Sequence, residues 1–216
     1  MTVAECCVVA TDGDLVASAV RDAGGDCVMT SSSHSTGTER VAEVAAQQRF
    51  RGFEAIVNVQ GDEPFISEES VTGAAGMVTG GKFPLGTSAA QADIGILASP
   101  AVVKVVTDDA GRALYFSRGP IPFLRDHADS ALRDSLVLQH IGVYAYRRDA
   151  LAQWAALPPH PLEVIERLEQ LRPLAAGIPI GVAVGMESPA TGIDTEEDLV
   201  RANERWESAQ AAGAPR

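Results

Sequence analysis

With 216 residues, 46% of them hydrophobic and 21% charged, the chain has the size and composition of one domain with a substantial core. Its net charge of −12, from 29 acidic against 17 basic residues, argues against a nucleic-acid polymer as partner, since a polyphosphate strand needs a basic footprint. No window is apolar over the length of a bilayer crossing, which argues against membrane insertion; a single nucleotide stays open, because local donors and a divalent ion suffice for it.

Met1-Thr2-Val3-Ala4-Glu5 lacks the basic-then-apolar pattern of a secretory signal. Cys6-Cys7-Val8-Val9-Ala10 reads as a first strand with buried thiols, stopped at Thr11-Asp12-Gly13. Cys6, Cys7 and Cys27 make neither a metal spacing nor an even disulfide set, so a cytoplasmic location is expected. A helix over residues 14–22 ends at Gly24-Gly25, a short strand covers 26–29, and a polar loop runs from 30 to 37. Thr38 is a candidate N-cap for a helix to about residue 48. Ala55-Ile56-Val57-Asn58-Val59 is a buried strand, and another helix begins near Ser67. Gly80-Gly81 and residues 86–93 read as small-residue connections. Residues 102–106 and 113–117 form a hairpin turning at Asp109-Ala110-Gly111, an excursion over about 100–123. A longer strand covers about 137–146; the remainder is helix (161–176), strand (179–184) and helix (195 to about 208).

This alternation predicts an α/β domain over residues 1–209, with a mainly parallel, Rossmann-like sheet, helices on both faces and a frayed tail at 210–216. No Gly-x-Gly-x-x-Gly follows a strand, which argues against a dehydrogenase.

Five segments could carry chemistry. Asn58-Val59-Gln60-Gly61-Asp62-Glu63-Pro64 lies at the carboxyl end of a strand, where ligands of open α/β sheets bind, and Asp62 offers a hard oxygen to Mg²⁺. An ordinary strand exit uses the same residues. In Thr191-Gly192-Ile193-Asp194-Thr195-Glu196-Glu197-Asp198, a cap at Thr195 with Asp198 three positions on frees Asp194 for a metal; a cap at Asp194 with Glu197 makes it structural. Both caps stay open. His34-Ser35-Thr36-Gly37-Thr38-Glu39-Arg40 leads into a helix whose N–H groups suit a carbonyl or phosphate oxygen, or merely cap it. In the 161–176 helix, Leu162, Ile165, Leu168 and Leu171 make an apolar stripe with Glu169 on its margin. His140, Gly142, Tyr144 and Tyr146 share one strand face by period two.

Individually each segment has a bland reading, but their order is specific. Together with Ala10-Thr11-Asp12, Val103-Lys104-Val105-Val106, Ala113-Leu114-Tyr115-Phe116-Ser117-Arg118 and Leu168-Glu169-Gln170-Leu171-Arg172, they resemble the 3-deoxy-manno-octulosonate cytidylyltransferases from about residue 5 to 205. The resemblance implies transfer of CMP from CTP to the anomeric hydroxyl of an eight-carbon acidic sugar, with pyrophosphate released, for lipopolysaccharide synthesis. It implies Mg²⁺ held by Asp62 and Asp194, and Thr11, Asp12, Gly37 and Thr38 along the cytidine. Gln60, His140, Tyr144, Glu169 and Gln170 would surround the sugar acid, Arg118 would reach its carboxylate, and the protein would be a homodimer. Relative to the family pattern, the sequence starts after an initial strand and a basic, glycine-containing loop, which implies unpaired strand edges here. Thr36 stands where the family favours serine, and residues 86–99 are shortened. Two other functions fit the same motifs: binding of sugar acid or nucleotide without transfer, and activation of a related acidic sugar.

Overall fold

The computed structural model describes residues 4–186, 192–193 and 195–211. The first elements are β1 (Val9–Thr11), α1 (Asp14–Asp22), β2 (Cys27–Met29), α2 (Gly37–Ala46), β3 (Ala55–Val59), α3 (Glu68–Thr79) and β4 (Leu85–Gln91). Strands β5 (Lys104–Thr107) and β6 (Ala113–Ser117) come next, then α4 (Ser130–Asp134), β7 (Leu138–Arg147) and α5 (Arg148–Ala156). Helices α6 (Pro161–Glu166) and α7 (Leu171–Ala175), strand β8 (Ile180–Gly185) and helix α8 (Glu196–Ala211) complete the chain. Residues 212–216 of the expected tail lie outside the described residues.

The α/β class holds. The six-stranded sheet runs β6-β5-β7-β4-β8, with β3 also paired to β7. Strands β3, β4, β5 and β8 share one direction, but β7 is inserted among them and runs against β3, β4 and β5. The hydrogen-bonded pairs are therefore mostly antiparallel in a sheet whose strands mostly point one way. β5 pairs with β7, and Val105 and Phe116 lie in the main core, so the hairpin is the edge of the central sheet rather than an excursion from it.

Alternation along β7 divides the core. Ile141, Val143 and Ala145 pack under Ala74 and Val78 of α3 on one face. Tyr144 and Tyr146 pack on the other with Leu151 and Trp154 of α5 and with Leu168 and Leu171. The segment 86–93, read from sequence as a connection, is mostly β4, buried at the centre of the sheet. Its small residues reflect a close helix. A Cβ at Gly86 would collide with the Ala74 carbonyl of α3, and one at Gly73 would lie 2.9 Å from Ala183 Cβ of β8.

β1 and β2 form a separate parallel pair over Val44 and Phe50. The ladder begins only at Val9, so Cys6 and Cys7 are exposed, contrary to the expected burial. Val9, Met29 and Val59 keep 38%, 41% and 41% of their surface.

Two helices differ from expectation. Thr36, not Thr38, caps α2: its Oγ1 accepts from the Glu39 N–H at 3.3 Å, while Glu39 Oε2 accepts the Ser35 N–H at 2.8 Å. The helix expected over 161–176 is broken. Arg167 takes φ 54°, the Leu168 N–H returns to the Glu163 carbonyl, and α7 restarts at Leu171. The apolar stripe is accordingly split, with Ile165 exposed and Leu168 and Leu171 buried.

Candidate active site

The site gathers six pieces of backbone: the end of β1, the turn after β3, residues 192–193, the start of α2, the face of β7 opposite α3 and the break between α6 and α7. In the turn after β3, the Glu63 N–H donates to the Gln60 carbonyl at 3.1 Å and leaves Asp62 exposed. The Ile193 N–H donates to the Asp62 carbonyl at 2.9 Å, tying the distant 192–193 segment to this turn. Glu63 fills the space between. Its Oε1 would lie 3.4 Å from a Cβ added at Gly142 on β7 and 3.4 Å from one added at Gly192, with the Gln60 carboxamide also across Gly142. Gly192 makes room for the turn, since an added Cβ there would lie 3.3 Å from the Asp62 carbonyl oxygen. Sequence reasoning quoted Glu63 only as part of its motif; the contact that singles it out is a long-range one.

Asp194 lies outside the described residues. Its neighbour decides one question left open by the sequence. Thr195 caps α8: Asp198 N–H donates to Thr195 Oγ1 at 3.2 Å, and Asp198 Oδ2 accepts the Thr195 N–H and hydroxyl at 2.9 and 2.8 Å. Asp62 is an exposed carboxylate on a turn hydrogen-bonded to residue 193, and among the described residues no three His, Cys, Asp or Glu side chains gather as a metal site.

On the β1 side, Thr11 is buried, its Oγ1 accepts the Gly13 N–H at 3.1 Å, and its carbonyl accepts the Thr30 N–H. Asp12 pairs with Arg40 at 3.2 Å, and Arg40 also donates to Thr30 Oγ1. Arg40 thereby fastens β1 to α2. Gly37 opens α2 beside Asn58, whose Nδ2 would lie 3.8 Å from an added Cβ. Thr38 points inward, with its Oγ1 3.4 Å from the Tyr146 hydroxyl. It therefore faces the cluster assigned to the sugar side.

That cluster is aromatic. His140 meets Phe116 edge-on at 5.1 Å and Tyr144 at 5.5 Å, and Tyr144 and Tyr146 both pack on Trp154. The Thr87 hydroxyl donates to the Val143 carbonyl at 2.7 Å, so it accepts from His140 Nε2 at 2.9 Å. This network assigns the Nε2–H tautomer and leaves Nδ1 as an acceptor. Burial pushes the His140 pKa down to about 3, so the ring is neutral at physiological pH. Burial also raises the Tyr144 and Tyr146 phenols, which stay protonated donors.

Glu169 and Gln170 stand in the break between α6 and α7. Burial raises the Glu169 pKa; Thr38, Arg172 and Thr36 pull it part of the way back. Its Oε1 is buried without a hydrogen-bond partner, an orphan acceptor of the kind that a hydroxyl-bearing ligand satisfies. Gln170 is buried beside it.

Arg118 is occupied elsewhere. Its Nε donates to the Glu166 carbonyl at 2.9 Å and its Nη1 to the Pro100 carbonyl at 3.0 Å, and its N–H donates to Glu166 Oε2. It braces the end of β6 against α6, and among the described residues its hydrogen bonds all go to these main-chain and Glu166 partners rather than to the sugar side. Lys104 is likewise buried and structural, donating to the carbonyls of Ser99, Val102 and Arg118.

Among the described residues, no helix is long and apolar enough to cross a membrane. A family model for cytidylyltransferases matches residues 1–180. A 3-deoxy-manno-octulosonate cytidylyltransferase of Gemmatimonas aurantiaca is 56% identical over 212 residues, 98% of this chain and 82% of that protein. One of Neisseria gonorrhoeae is 44% identical over 199 residues, 90% of this chain and 79% of that protein. Among solved structures, a CMP:2-keto-3-deoxy-manno-octonic acid synthetase complexed with CTP superposes with TM-score 0.81 at 38% identity, covering 93% of this chain and 80% of that one. An inositol-1-phosphate CTP transferase from T. maritima, at 13% identity, 92% and 74% coverage and TM-score 0.57, shares the fold.

Proposed function

The chain belongs to the 3-deoxy-manno-octulosonate cytidylyltransferases, and from that premise we propose that it transfers CMP from CTP to the anomeric hydroxyl of 3-deoxy-manno-octulosonate. The hydroxyl oxygen forms a bond to the α-phosphorus, the bond to the bridging oxygen of the β-phosphate breaks, and pyrophosphate leaves. One observation carries the reading: the Ile193 N–H bonds to the Asp62 carbonyl, which brings the two acidic segments of the sequence together beside β7.

Asp62 and Asp194 would hold Mg²⁺, which would neutralise triphosphate charge and ease deprotonation of the attacking hydroxyl. The remaining residues position. Neutral His140 offers Nδ1 to a sugar hydroxyl, and the orphaned Glu169 oxygen accepts another. Gln60 lies across Gly142 at the rim. Thr11, Asp12 and Gly37 line the opposite side, where the nucleotide would rest. The setting would be lipopolysaccharide synthesis in the cytoplasm, where the three free cysteines stay reduced. A homodimer through the hairpin edge would cover Leu114, Phe123, Leu132 and Leu136, large apolar side chains that are exposed in the single chain.

Pyrophosphate release from CTP and sugar acid with Mg²⁺ tests the reading, with the product identified by phosphorus NMR. Asp62→Asn should lower kcat by roughly a hundredfold or more, by loss of charge at the metal. A second reading, binding without transfer, draws on the engaged state of three cations: Arg40 pairs with Asp12, Arg118 with carbonyls and Arg172 with Glu163. Calorimetric binding of sugar acid or CTP with no pyrophosphate formed would favour that second reading.

A further inference from the structure

Arg172 is buried, with 3% of its surface exposed, and three carboxylates surround it. Its Nε and Nη2 fork onto Glu163 of α6 at 2.8 and 2.6 Å. Its Nη1 lies 3.7 Å from Glu39 of α2, and its charge also acts on Glu169 in the break between α6 and α7. One buried cation thus serves acids from three separate segments, which would repel one another without it.

Each partner leads onward to the site. Glu39 accepts the Ser35 N–H at 2.8 Å and so holds the polar loop that enters α2 through the Thr36 cap. Glu163 caps its own helix by accepting the His160 N–H at 3.2 Å, which fixes the segment whose end is the break carrying Glu169 and Gln170. A lysine cannot replace the fork, because its ammonium is a point charge without two parallel donors.

We propose that Arg172 is a positioning residue that fastens the Ser35-to-Thr38 wall of the site to the Glu169-to-Gln170 wall, setting both their separation and the charge that faces the sugar acid. It rests on the reading above that these walls receive the two substrates. The guanidinium is enclosed, so it acts through Glu39, Glu163 and Glu169 rather than by touching ligand.

The test uses the full chain, with Arg172→Lys, Glu39→Gln, their double variant and Arg172→Gln titrated calorimetrically with CTP plus Mg²⁺ and with 3-deoxy-manno-octulosonate across pH. Arg172→Lys should weaken sugar-acid binding roughly tenfold to a hundredfold through misplacement of the wall. Arg172→Gln, which removes the charge as well as the fork, should also move the acidic limb of that binding to higher pH, because Glu169 loses the cation that holds it down while ionised Glu169 is the acceptor form. The double variant should lose less than the product of the single losses, since both act through one contact. If Arg172→Lys fails to fold, Glu163→Gln carries the test. It releases one partner of the guanidinium and should shift the acidic limb to lower pH while weakening sugar binding. A fall in melting temperature with both affinities and the pH limb unmoved overturns the proposal, as do independent effects in the double variant. Wild-type protein that binds neither CTP nor the sugar acid overturns the functional reading and the proposal together; wild-type binding with unmoved variants overturns the proposal alone.

Discussion

Replacing Lys104 by methionine tests how the hairpin is joined to the rest of the molecule. The side chain is fully buried, and its Nζ donates at 2.9, 2.7 and 2.5 Å to the carbonyls of Ser99, Val102 and Arg118. Methionine keeps most of the apolar stem and its packing, so the change isolates the ammonium. It leaves three carbonyl acceptors without this donor, each costing about 1–3 kcal/mol when buried and unsatisfied. Against that stands relief of the desolvation that lowers the Lys104 pKa. The net loss should be about 3–5 kcal/mol, below the summed cost of the three carbonyls because of that relief. For a chain of this size it corresponds to a fall in melting temperature of roughly 6–20 °C. Differential scanning calorimetry together with urea unfolding reads both quantities. A variant that melts within 2 °C of the wild type, on the order of 1 kcal/mol or less, would show that the carbonyls find other donors and that Lys104 is not what joins these segments.

His140 should show no titration between pH 5 and 8 in histidine-resolved NMR, because its pKa lies at about 3 in the folded protein. A midpoint near the ordinary histidine value would refute both the burial argument and the assigned neutral acceptor. Glu169→Gln should raise the melting temperature of the ligand-free protein at pH 7 while weakening sugar-acid binding. The sign follows from linkage: a carboxyl raised by burial stabilises the fold below its unfolded pKa, and that contribution is lost as pH rises through the folded pKa. The advantage of glutamine should therefore shrink as pH falls toward 4.5, the ordinary carboxyl value. A lower melting temperature at pH 7 would count against that sign.

Local signals located much of this molecule. Residues 14–22 and 55–59 are bounded in the structure as their patterns predict, because a glycine stop and a β-branched run act on neighbouring backbone. The hairpin turn at Asp109-Ala110-Gly111 is where its residues place it, with Gly111 at φ 77°. The errors share a cause. Apart from Thr87, residues 86–93 lack the β-branched and aromatic side chains of a typical strand, and at Gly86 α3 lies too close above β4 to admit even a Cβ, a fact about a helix elsewhere in the chain. The 161–176 helix breaks at Arg167, where Arg118 from β6 binds the Glu166 carbonyl. Arg118 itself was placed at the sugar by resemblance, but main-chain acceptors occupy it.

Membership of the family followed from residue types in order, since carboxylates, glycines and a histidine carry the same chemistry wherever the backbone takes them. Their protonation and partners did not. That His140 is a neutral acceptor depends on a threonine 53 residues away. That Glu169 keeps an orphaned oxygen depends on α2 and Arg172 closing around it. Desolvation and hydrogen-bond direction are properties of what surrounds a group in space, and only the packed chain supplies those surroundings.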